Sequence, residues 1–157
     1  MMGFYHACCV VPDLAHAMAE LERGLGVRWS RPRGGQLGAW EYDIVFSRRG
    51  PPFLELIQGP PGSPWDAGAG PRCDHVGYWS DDLDRDGERL AERGLAMAFD
   101  GRPFGRSFAY HGLDGIGMRI ELVDRAVQPG FVETWAPAAP AMGALDLTAP
   151  IADRDDD

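Results

Sequence analysis

The chain has 157 residues, a formal net charge of −9 and 15 basic residues, all of them Arg. This length suits one compact domain with its own core and excludes two large domains. The hydrophobic content of 45% is typical of a soluble globular protein, and no apolar run approaches the ~20 residues of a membrane span. Because the sequence has no basic stripe, we exclude both a membrane and nucleic acid as partners.

The N-terminus and the cysteines indicate a cytoplasmic protein. The segment MMGFYHACCVVPDL has no basic region ahead of an apolar stretch and no small-residue cleavage site, so it is not typical of a secretion signal. Cys8 and Cys9 are adjacent and should point to opposite faces of a strand, and Cys73 makes the count odd. We therefore expect buried, reduced thiols.

An internal repeat organises the chain. An offset of 69 residues aligns HACCVVPDLAHAMAELERGLG, which begins at His6, with HVGYWSDDLDRDGERLAERGL, which begins at His75. Under this alignment Asp13 meets Asp82, and each Asp is followed by a Leu. The chain therefore contains two copies of one structural unit.

Each copy is predicted to form a strand, a helix and three further strands. In each copy an Asp is placed to cap a helix, and apolar residues follow at helical spacing, namely Leu14, Ala17, Met18, Leu21 and Leu25 in the first and Leu83, Leu90 and Ala91 in the second. The later strand-like runs surround GVRW, AWEYDIVF and PFLELIQ, then LAMAFD, SFAYH and GMRIELVD. The closing runs share a Glu-Leu step at Glu55 and Glu121.

The repeat sets the predicted boundaries. One domain spans residues 1–126, with module one at 1–58, a linker rich in Gly and Pro at 59–71, and module two at 72–126. The tail, 127–157, is rich in Pro, Ala and Asp and has no periodicity, which predicts disorder. Alternatively, Phe131, Val132 and Trp135 dock on the domain or on a second subunit.

Alternation along the strands places four repeated polar residues on one concave face. His6, Glu55, His75 and Glu121 each lie opposite apolar neighbours, and by the same count Tyr5, Ala7 and Cys9 lie on the face opposite His6. Two His and two Glu suit a borderline or hard divalent ion, so Zn, Ni, Co, Fe, Mn or Mg are all candidates. The sequence therefore predicts a metal centre at these four residues.

This pattern resembles the vicinal oxygen chelate superfamily, with HVGYWSDDLD and RIELVD as its most characteristic stretches. That superfamily includes glyoxalase I, methylmalonyl-CoA epimerase, extradiol dioxygenases, metal-dependent fosfomycin-modifying enzymes and metal-free bleomycin-binding proteins. The resemblance covers residues 4 to about 126. It implies an α+β fold in which two βαβββ modules form a half-barrel cup.

The resemblance also implies a chemistry for a small-molecule substrate. Four ligands leave two positions of a six-coordinate ion for adjacent substrate oxygens, so that an enolate or enediolate is stabilised. In glyoxalase-like relatives a ligand carboxylate detaches to act as base, which makes Glu121 the first catalytic candidate and Glu55 the second. The epimerase has Gln at the position of Glu55 and a second carboxylate on its third strand, in the region of Glu41 and Asp43. We expect a metal-dependent lyase, isomerase or epimerase.

Two other functions and the oligomeric state stay open. The first alternative is a metal-free drug-binding or metabolite-binding protein of the bleomycin-resistance kind. The next is an extradiol-type Fe(II) dioxygenase, which ranks lower because a fourth ligand blocks the position for O₂ unless it leaves. We expect a homodimer, in which each site closes within one chain or takes residues from both chains.

Several further side chains are candidates for a substrate pocket. Trp79 shares the parity of His75, and Trp40 could line an apolar wall above the metal, whereas Trp65 in the linker is either a lid or a clamp. His111, near a predicted strand end, either relays a proton or caps a turn. Arg119 shares the face of Glu121.

Overall fold

The structure, a computed structural model, describes residues 3–148. Module one contains β1 (His6–Val10), α1 (Leu14–Leu25), β2 (Arg33–Leu37), β3 (Trp40–Phe46) and β4 (Phe53–Gln58). Module two contains β5 (Arg72–Ser80), α2 (Leu83–Glu92), β6 (Met97–Asp100), β7 (Phe108–Leu113) and β8 (Met118–Asp124). A third helix, α3 (Gln128–Trp135), follows the second module.

All eight strands form one sheet in the order β2-β3-β4-β1-β5-β8-β7-β6. Within each module the first and last strands are parallel neighbours, β1 with β4 and β5 with β8. The modules join where β1 runs antiparallel to β5. The predicted α+β half-barrel of two βαβββ modules is confirmed, and its four central strands are those that carry the predicted ligands.

The two repeated Asp residues cap the two helices, as predicted. The Asp13 carboxylate accepts a hydrogen bond of 2.8 Å from the His16 backbone N–H, and Asp82 accepts one of 3.0 Å from Arg85. Helix α1 packs on β4, and α2 packs on β7 and β8. Both helices cover the same face, so the opposite face is left for a site. Leu25 and Ala91, predicted to pack with the other apolar residues, are exposed at the helix ends.

The second strand of module one does not lie where the sequence predicts it. The stretch GVRW supplies only an isolated bridge between Trp29 and Ser47, and β2 lies instead at Arg33–Leu37. Trp29 is buried against α1, where its indole N–H donates to the Met18 carbonyl at 3.2 Å. β2 is an edge strand of sequence RGGQL with no apolar alternation, so its hydrogen bonds to β3 alone define it.

The predicted disorder of the tail is wrong over α3, and the docking alternative is confirmed for the domain itself. Phe131 packs against the aromatic rings of four residues, at centroid distances of 5.0 to 5.7 Å, namely Tyr5, Phe46, Phe53 and Trp79. The Leu145 backbone N–H then donates to the Trp79 carbonyl at 2.7 Å. The tail thus covers one end of the concave face. Residues 149–157, including the acidic end, lie outside the described residues.

The cysteines divide between the two faces, and one of them is not buried. Cys8 is buried on the concave face, Cys9 is half-buried on the helix side, and Cys73 is exposed. The expectation of three buried thiols is therefore wrong for Cys73.

Within residues 3–148 no helix combines the length and the apolar character needed to cross a membrane.

Candidate metal centre

The four predicted ligands meet at the floor of the cup within a single chain. His6 Nε2 lies 2.9 Å from Glu55 Oε2, 3.3 Å from Glu121 Oε2 and 3.0 Å from His75 Nε2. His75 Nε2 lies 3.5 Å from Glu121 Oε2 and 3.8 Å from Glu55 Oε2. The four residues are almost fully buried, since none is more than 8% exposed.

The register of the central strands explains this convergence. On β1, Cys8 lies beside Glu55 of β4 and His75 of β5. On β5, Gly77 lies beside His6 of β1 and Glu121 of β8. Because paired residues in a sheet point to the same face, all these side chains project into the cup.

Gly77 makes the room that the His6 ring occupies. A Cβ atom at this position would lie 2.0 Å from His6 Cε1 and 2.3 Å from His6 Nδ1. No side chain fits there unless His6 moves. Gly77 is therefore a site residue that the ligand pattern alone does not identify.

The cluster combines buried imidazoles with buried carboxylates, and each kind of group shifts the pKa of the other. Burial lowers the pKa of His75, but Glu121, Asp74 and Glu55 outweigh burial and raise this pKa to about 10. Burial also opposes a charged His6, yet Glu55 and Glu121 raise its pKa above the ordinary value. Burial raises the pKa of Glu55, but the two imidazoles outweigh it and bring the pKa well below its usual range. The centre thus favours a positive charge between the two carboxylates.

These donor atoms fit a divalent metal ion. Metal bonds of about 2.0 to 2.2 Å to His and Glu separate neighbouring donor atoms by roughly 3 Å in six-coordinate geometry. The distances measured among the Nε2 and Oε2 atoms, 2.9 to 3.8 Å, lie at or slightly above that value. Donor atoms of His6, His75 and Glu121 all lie within 4.8 Å of one another. Glu55 lies outside this set of three and groups instead with Cys8 and His75, whose donor atoms also lie within 4.8 Å of one another. Two overlapping three-residue sets, which share His75, are therefore placed to hold an ion.

Asp74 orients the ring of His75. Its Oδ2 atom lies 2.8 Å from His75 Nδ1, and because a carboxylate only accepts, Nδ1 carries the proton and Nε2 faces the cluster. Arg72 Nε donates to Asp74 Oδ1 at 3.0 Å, and Arg119 pairs with Oδ2. Burial raises the pKa of Asp74, but His75 and Arg119 outweigh it and lower this pKa.

The position of Asp74 is not predicted by the alternation of side chains along a strand. Simple alternation places Asp74 on the face opposite His75, but both side chains are buried and in contact. The pairing of β1 with β5 shifts at this point, since Cys8 pairs with His75 and Cys9 pairs with Cys73. Asp74 is the extra residue of this bulge, which turns its side chain toward the ligand.

The ring of His6 is positioned by packing, whereas the ring of His75 is positioned by a hydrogen bond. The ring of Tyr5 lies 4.3 Å from the His6 ring, and His6 Nδ1 has no hydrogen-bond partner among residues 3–148. The prediction that Tyr5 lies opposite His6 is wrong. Tyr5 precedes β1 at a bend, so it does not follow the alternation of the strand and packs within the aromatic cluster of the cup.

A cavity of about 320 Å³ opens above the cluster. Glu55 and Glu121 lie at its floor, and Arg106 lies at its rim. Its walls are mostly apolar and aromatic, including Tyr42, Ile44, Phe46, Trp65, Phe108 and Tyr110. The Trp65 indole N–H donates to the Tyr110 hydroxyl at 3.0 Å, so the linker residue forms a fixed wall.

The other predicted pocket residues are distributed differently. Trp79 lies on the concave face but is buried in the cluster beneath α3, stacked on Tyr5 at 4.1 Å. Trp40 contacts Phe99 and Phe104, and neither Trp40 nor Trp79 borders the cavity. Arg119 lies 3.8 Å above the Tyr110 ring, where it supports Asp74. Trp40, Trp79 and Arg119 therefore do not line the cavity but lie around it and support the residues that do.

His111 faces away from the cup, so it cannot relay a proton there. Its Nδ1 lies 3.0 Å from the Leu95 carbonyl, and its Nε2 faces Gly87 of α2. The prediction placed His111 near a strand end, but it lies in the middle of β7, one residue from Tyr110, and therefore points to the helix side. Tyr110 contacts the His75 ring at 4.9 Å and is the residue that the sequence reading missed.

The third strand offers no carboxylate to the cup. Glu41 and Asp43 are exposed on β3, whereas the alternating residues Tyr42, Ile44 and Phe46 line the cavity. The second acidic residue of the epimerase pattern is therefore not at this site.

The fold agrees with the comparison to known families. The sequence profile of the Glyoxalase/Bleomycin resistance protein/Dioxygenase superfamily matches residues 5–110. The chain belongs to this superfamily. No curated protein matches the chain.

Solved structures of the same superfamily share the fold at low identity. A methylmalonyl-CoA epimerase variant from Streptomyces coelicolor, in complex with 2-nitronate-propionyl-CoA, is 15% identical with a TM-score of 0.58, over 79% of this chain and 97% of that chain. The epimerase from Mycobacterium tuberculosis is 18% identical with a TM-score of 0.54, over 78% and 87%. A 4-hydroxymandelate synthase variant from Streptomyces coelicolor is 17% identical with a TM-score of 0.55, over 77% and 47%.

Proposed function

We propose that this protein is a metal-dependent lyase or isomerase that binds adjacent oxygens of a small substrate at His6, Glu55, His75 and Glu121. The observation that carries the proposal is the approach of the two buried His Nε2 atoms to each other and to an Oε2 atom of each buried Glu, at 2.9 to 3.8 Å across four strands. A bound divalent ion (Zn, Ni, Co, Fe, Mn or Mg) would supply Lewis acidity toward the substrate oxygens.

The two carboxylates are the groups that can move a proton. Both Glu55 and Glu121 reach the cavity floor, and Glu121 is the more exposed of the two, at 8% against 5%. We assign Glu121 as the general base, which takes the substrate proton at a side-chain oxygen, and Glu55 as its alternative. The aromatic walls exclude water, which strengthens the electrostatic interactions inside the cavity.

The side chains that β3 presents to the cavity favour a reaction that uses one base. A two-base epimerisation needs a second acid on the far side of the reacting carbon, and the cavity side of β3 presents Tyr42, Ile44 and Phe46 there. We therefore place proton transfer that uses a single carboxylate ahead of epimerisation. The cavity volume of about 320 Å³ favours a small substrate with an apolar body.

An Fe(II) oxygenase is the second candidate function. His6, His75 and Glu121 form a two-His, one-carboxylate set with donor atoms within 4.8 Å of one another, which is the ligand set of non-haem Fe(II) oxygenases. In that case Glu55 pairs with His6 and is not a ligand. Replacement of Glu55 by Ala separates the two functions, since the oxygenase would retain iron and the four-ligand enzyme would lose one ligand and bind its metal more weakly.

Metal content tests the proposal most directly. We would measure the metals in untagged protein by elemental analysis, beside His75→Ala and the matched control His111→Gln, which changes a buried His on the other face. We expect about one metal ion per chain in the wild type and the control, and its loss from His75→Ala. Wild-type protein that takes up none of the candidate ions on reconstitution would contradict the proposal and favour a metal-free binding protein.

We further propose a cytoplasmic homodimer. The meeting of all four ligands in one chain supports a site that closes without exchange between subunits. Sedimentation analysis of the purified chain gives the oligomeric state.

A further inference from the structure

We infer that Cys9 and Cys73 are an oxidation site, at which a reversible disulfide joins β1 to β5. The two residues are register partners on the antiparallel strands, and their Sγ atoms lie 4.0 Å apart. Both side chains lie on the side of the sheet away from the metal cluster. This pair is independent of the proposed enzymatic function.

The backbone at this position already suits the bond. Directly opposed residues of antiparallel strands have Cα atoms about 4.5 to 5.5 Å apart, which lies within the range that disulfides span. A disulfide has an S–S length of about 2.05 Å, so the two sulfurs must approach by about 2 Å. Rotation about the two Cα–Cβ bonds, together with a small adjustment of the bulge that follows Cys73, supplies this movement.

Accessibility distinguishes this pair from the third cysteine. Cys73 is exposed and Cys9 is half-buried, whereas Cys8 is buried on the opposite face. A dissolved oxidant therefore meets Cys73 first. Cys9 then lies close enough to resolve the product, and Cys8 does not take part.

A low-molecular-weight disulfide is sufficient as the oxidant. The Cys73 thiolate attacks one sulfur of the reagent, which forms a mixed disulfide and releases the other half as a thiolate. The Cys9 thiolate then attacks the Cys73 sulfur and releases the second half. Two cysteine thiols are oxidised, one reagent disulfide is reduced to two thiols, and the two cysteine protons pass to these thiols.

The disulfide lies next to the residue that orients a predicted ligand. Asp74 is the bulge residue between Cys73 and His75, and its carboxylate contacts His75 Nδ1. A crosslink at Cys73 restrains the backbone of the bulge directly next to Asp74. On the basis of the proposed function, we expect oxidation to lower the affinity for Zn²⁺ by about tenfold, because changes around a metal-bound His typically have effects of this size.

The experiment treats the full chain with oxidised glutathione and follows mass, free thiols and peptide maps. We expect the wild type to lose two hydrogens, to keep one free thiol, and to return to three thiols with dithiothreitol. Cys8→Ser should still form the crosslink. Cys9→Ser should stop at the glutathione adduct of Cys73, because the resolving thiol is missing.

Three outcomes would overturn the inference: a stable glutathione adduct on Cys73 of the wild type, a crosslink between two chains, or a disulfide that contains Cys8. Zn²⁺ titration of the reduced and oxidised forms tests the link to the centre, with oxidant-treated Cys73→Ser as control. Equal affinities in the two forms would overturn that link. If the reduced form binds no metal, the proposed function fails while the mapped disulfide still stands.

Discussion

The two modules carry their histidines on equivalent strands but hold them in different ways. His75 is fixed by a carboxylate, because Asp74 lies 2.8 Å from its Nδ1. The residue equivalent to Asp74 in module one is Tyr5, which packs its ring 4.3 Å from His6. The residue equivalent to Cys8 is Gly77, and its missing side chain leaves the space that the His6 ring fills.

This difference shows that a repeated ligand pattern does not imply repeated support. A buried His next to a carboxylate has its tautomer set by that carboxylate, so Nε2 of His75 faces the cluster with a defined role. His6 has no such partner on Nδ1 among the described residues, and close packing by Tyr5, Phe46 and Gly77 sets its ring position. We therefore expect the support of His75 to be sensitive to charge and the support of His6 to be sensitive to shape.

The largest effect is expected from a side chain added at Gly77. Gly77→Ala would place a Cβ 2.0 Å from His6 Cε1, so the ring must leave its position. We expect loss of metal binding and a fall in the free energy of unfolding of about 3 kcal/mol, as for an overpacked core. Urea denaturation and elemental analysis measure both. The control Gly34→Ala, in which the added Cβ would lie 3.6 Å from its nearest neighbour on edge strand β2, should retain the metal, and retained metal in Gly77→Ala would contradict the role of Gly77.

Removal of the charge behind His75 should weaken the metal centre without unfolding it. Asp74→Asn keeps the shape of the side chain but removes the carboxylate that holds Nδ1–H. We expect Zn²⁺ affinity to fall about 10- to 100-fold in calorimetric titration. The control is Tyr5→Phe, which keeps the ring beside His6 and should change the affinity little. Equal affinities for Asp74→Asn and the wild type would show that Asp74 has no orienting role.

The packing of the tail should affect the His6 side of the cup more than the His75 side. Phe131→Ala removes a partly buried ring that contacts Tyr5 and Phe46, and both of these rings contact His6. We expect a loss of about 2 kcal/mol in the free energy of unfolding, below the roughly 3 to 5 kcal/mol of a fully buried Phe because this ring is only partly buried. Chemical denaturation checks this value. Val127→Ala, an exposed residue just before α3, serves as control, and equal losses in the two variants would argue against docking by Phe131.

The last prediction is a pH dependence of metal binding. The pKa of His75 is raised from 6.5 to about 10, so its proton stabilises the metal-free fold fully below pH 6.5, and this contribution is lost as the pH rises toward 10. Zn²⁺ displaces this proton, so its affinity should rise about tenfold per pH unit for each proton released. Thermal unfolding with and without Zn²⁺ should therefore show a larger stabilisation at pH 8.5 than at pH 6.5. The same stabilisation at both values would contradict a protonated metal-free cluster.

The sequence by itself determined the repeat, the two capped helices and the shared face of four polar residues. These features depend on local periodicity, since side chains alternate along a regular strand and an Asp caps the helix that follows it. Residues 59–71, predicted as a linker, contain no helix or extended strand. The role of His6, Glu55, His75 and Glu121 as ligands stays a prediction that metal analysis must test.

Only the tertiary structure decided what surrounds those four residues. The bulge in β5 turns Asp74 toward His75, and the bend before β1 brings Tyr5 into the cup, so strand alternation fails at both places. Helix α3 covers Trp79 because its aromatic partners come from distant strands, which a short apolar pattern does not reveal. His111 points to the helix side and its neighbour Tyr110 lies in the cup, because adjacent residues of a strand point to opposite faces of the sheet.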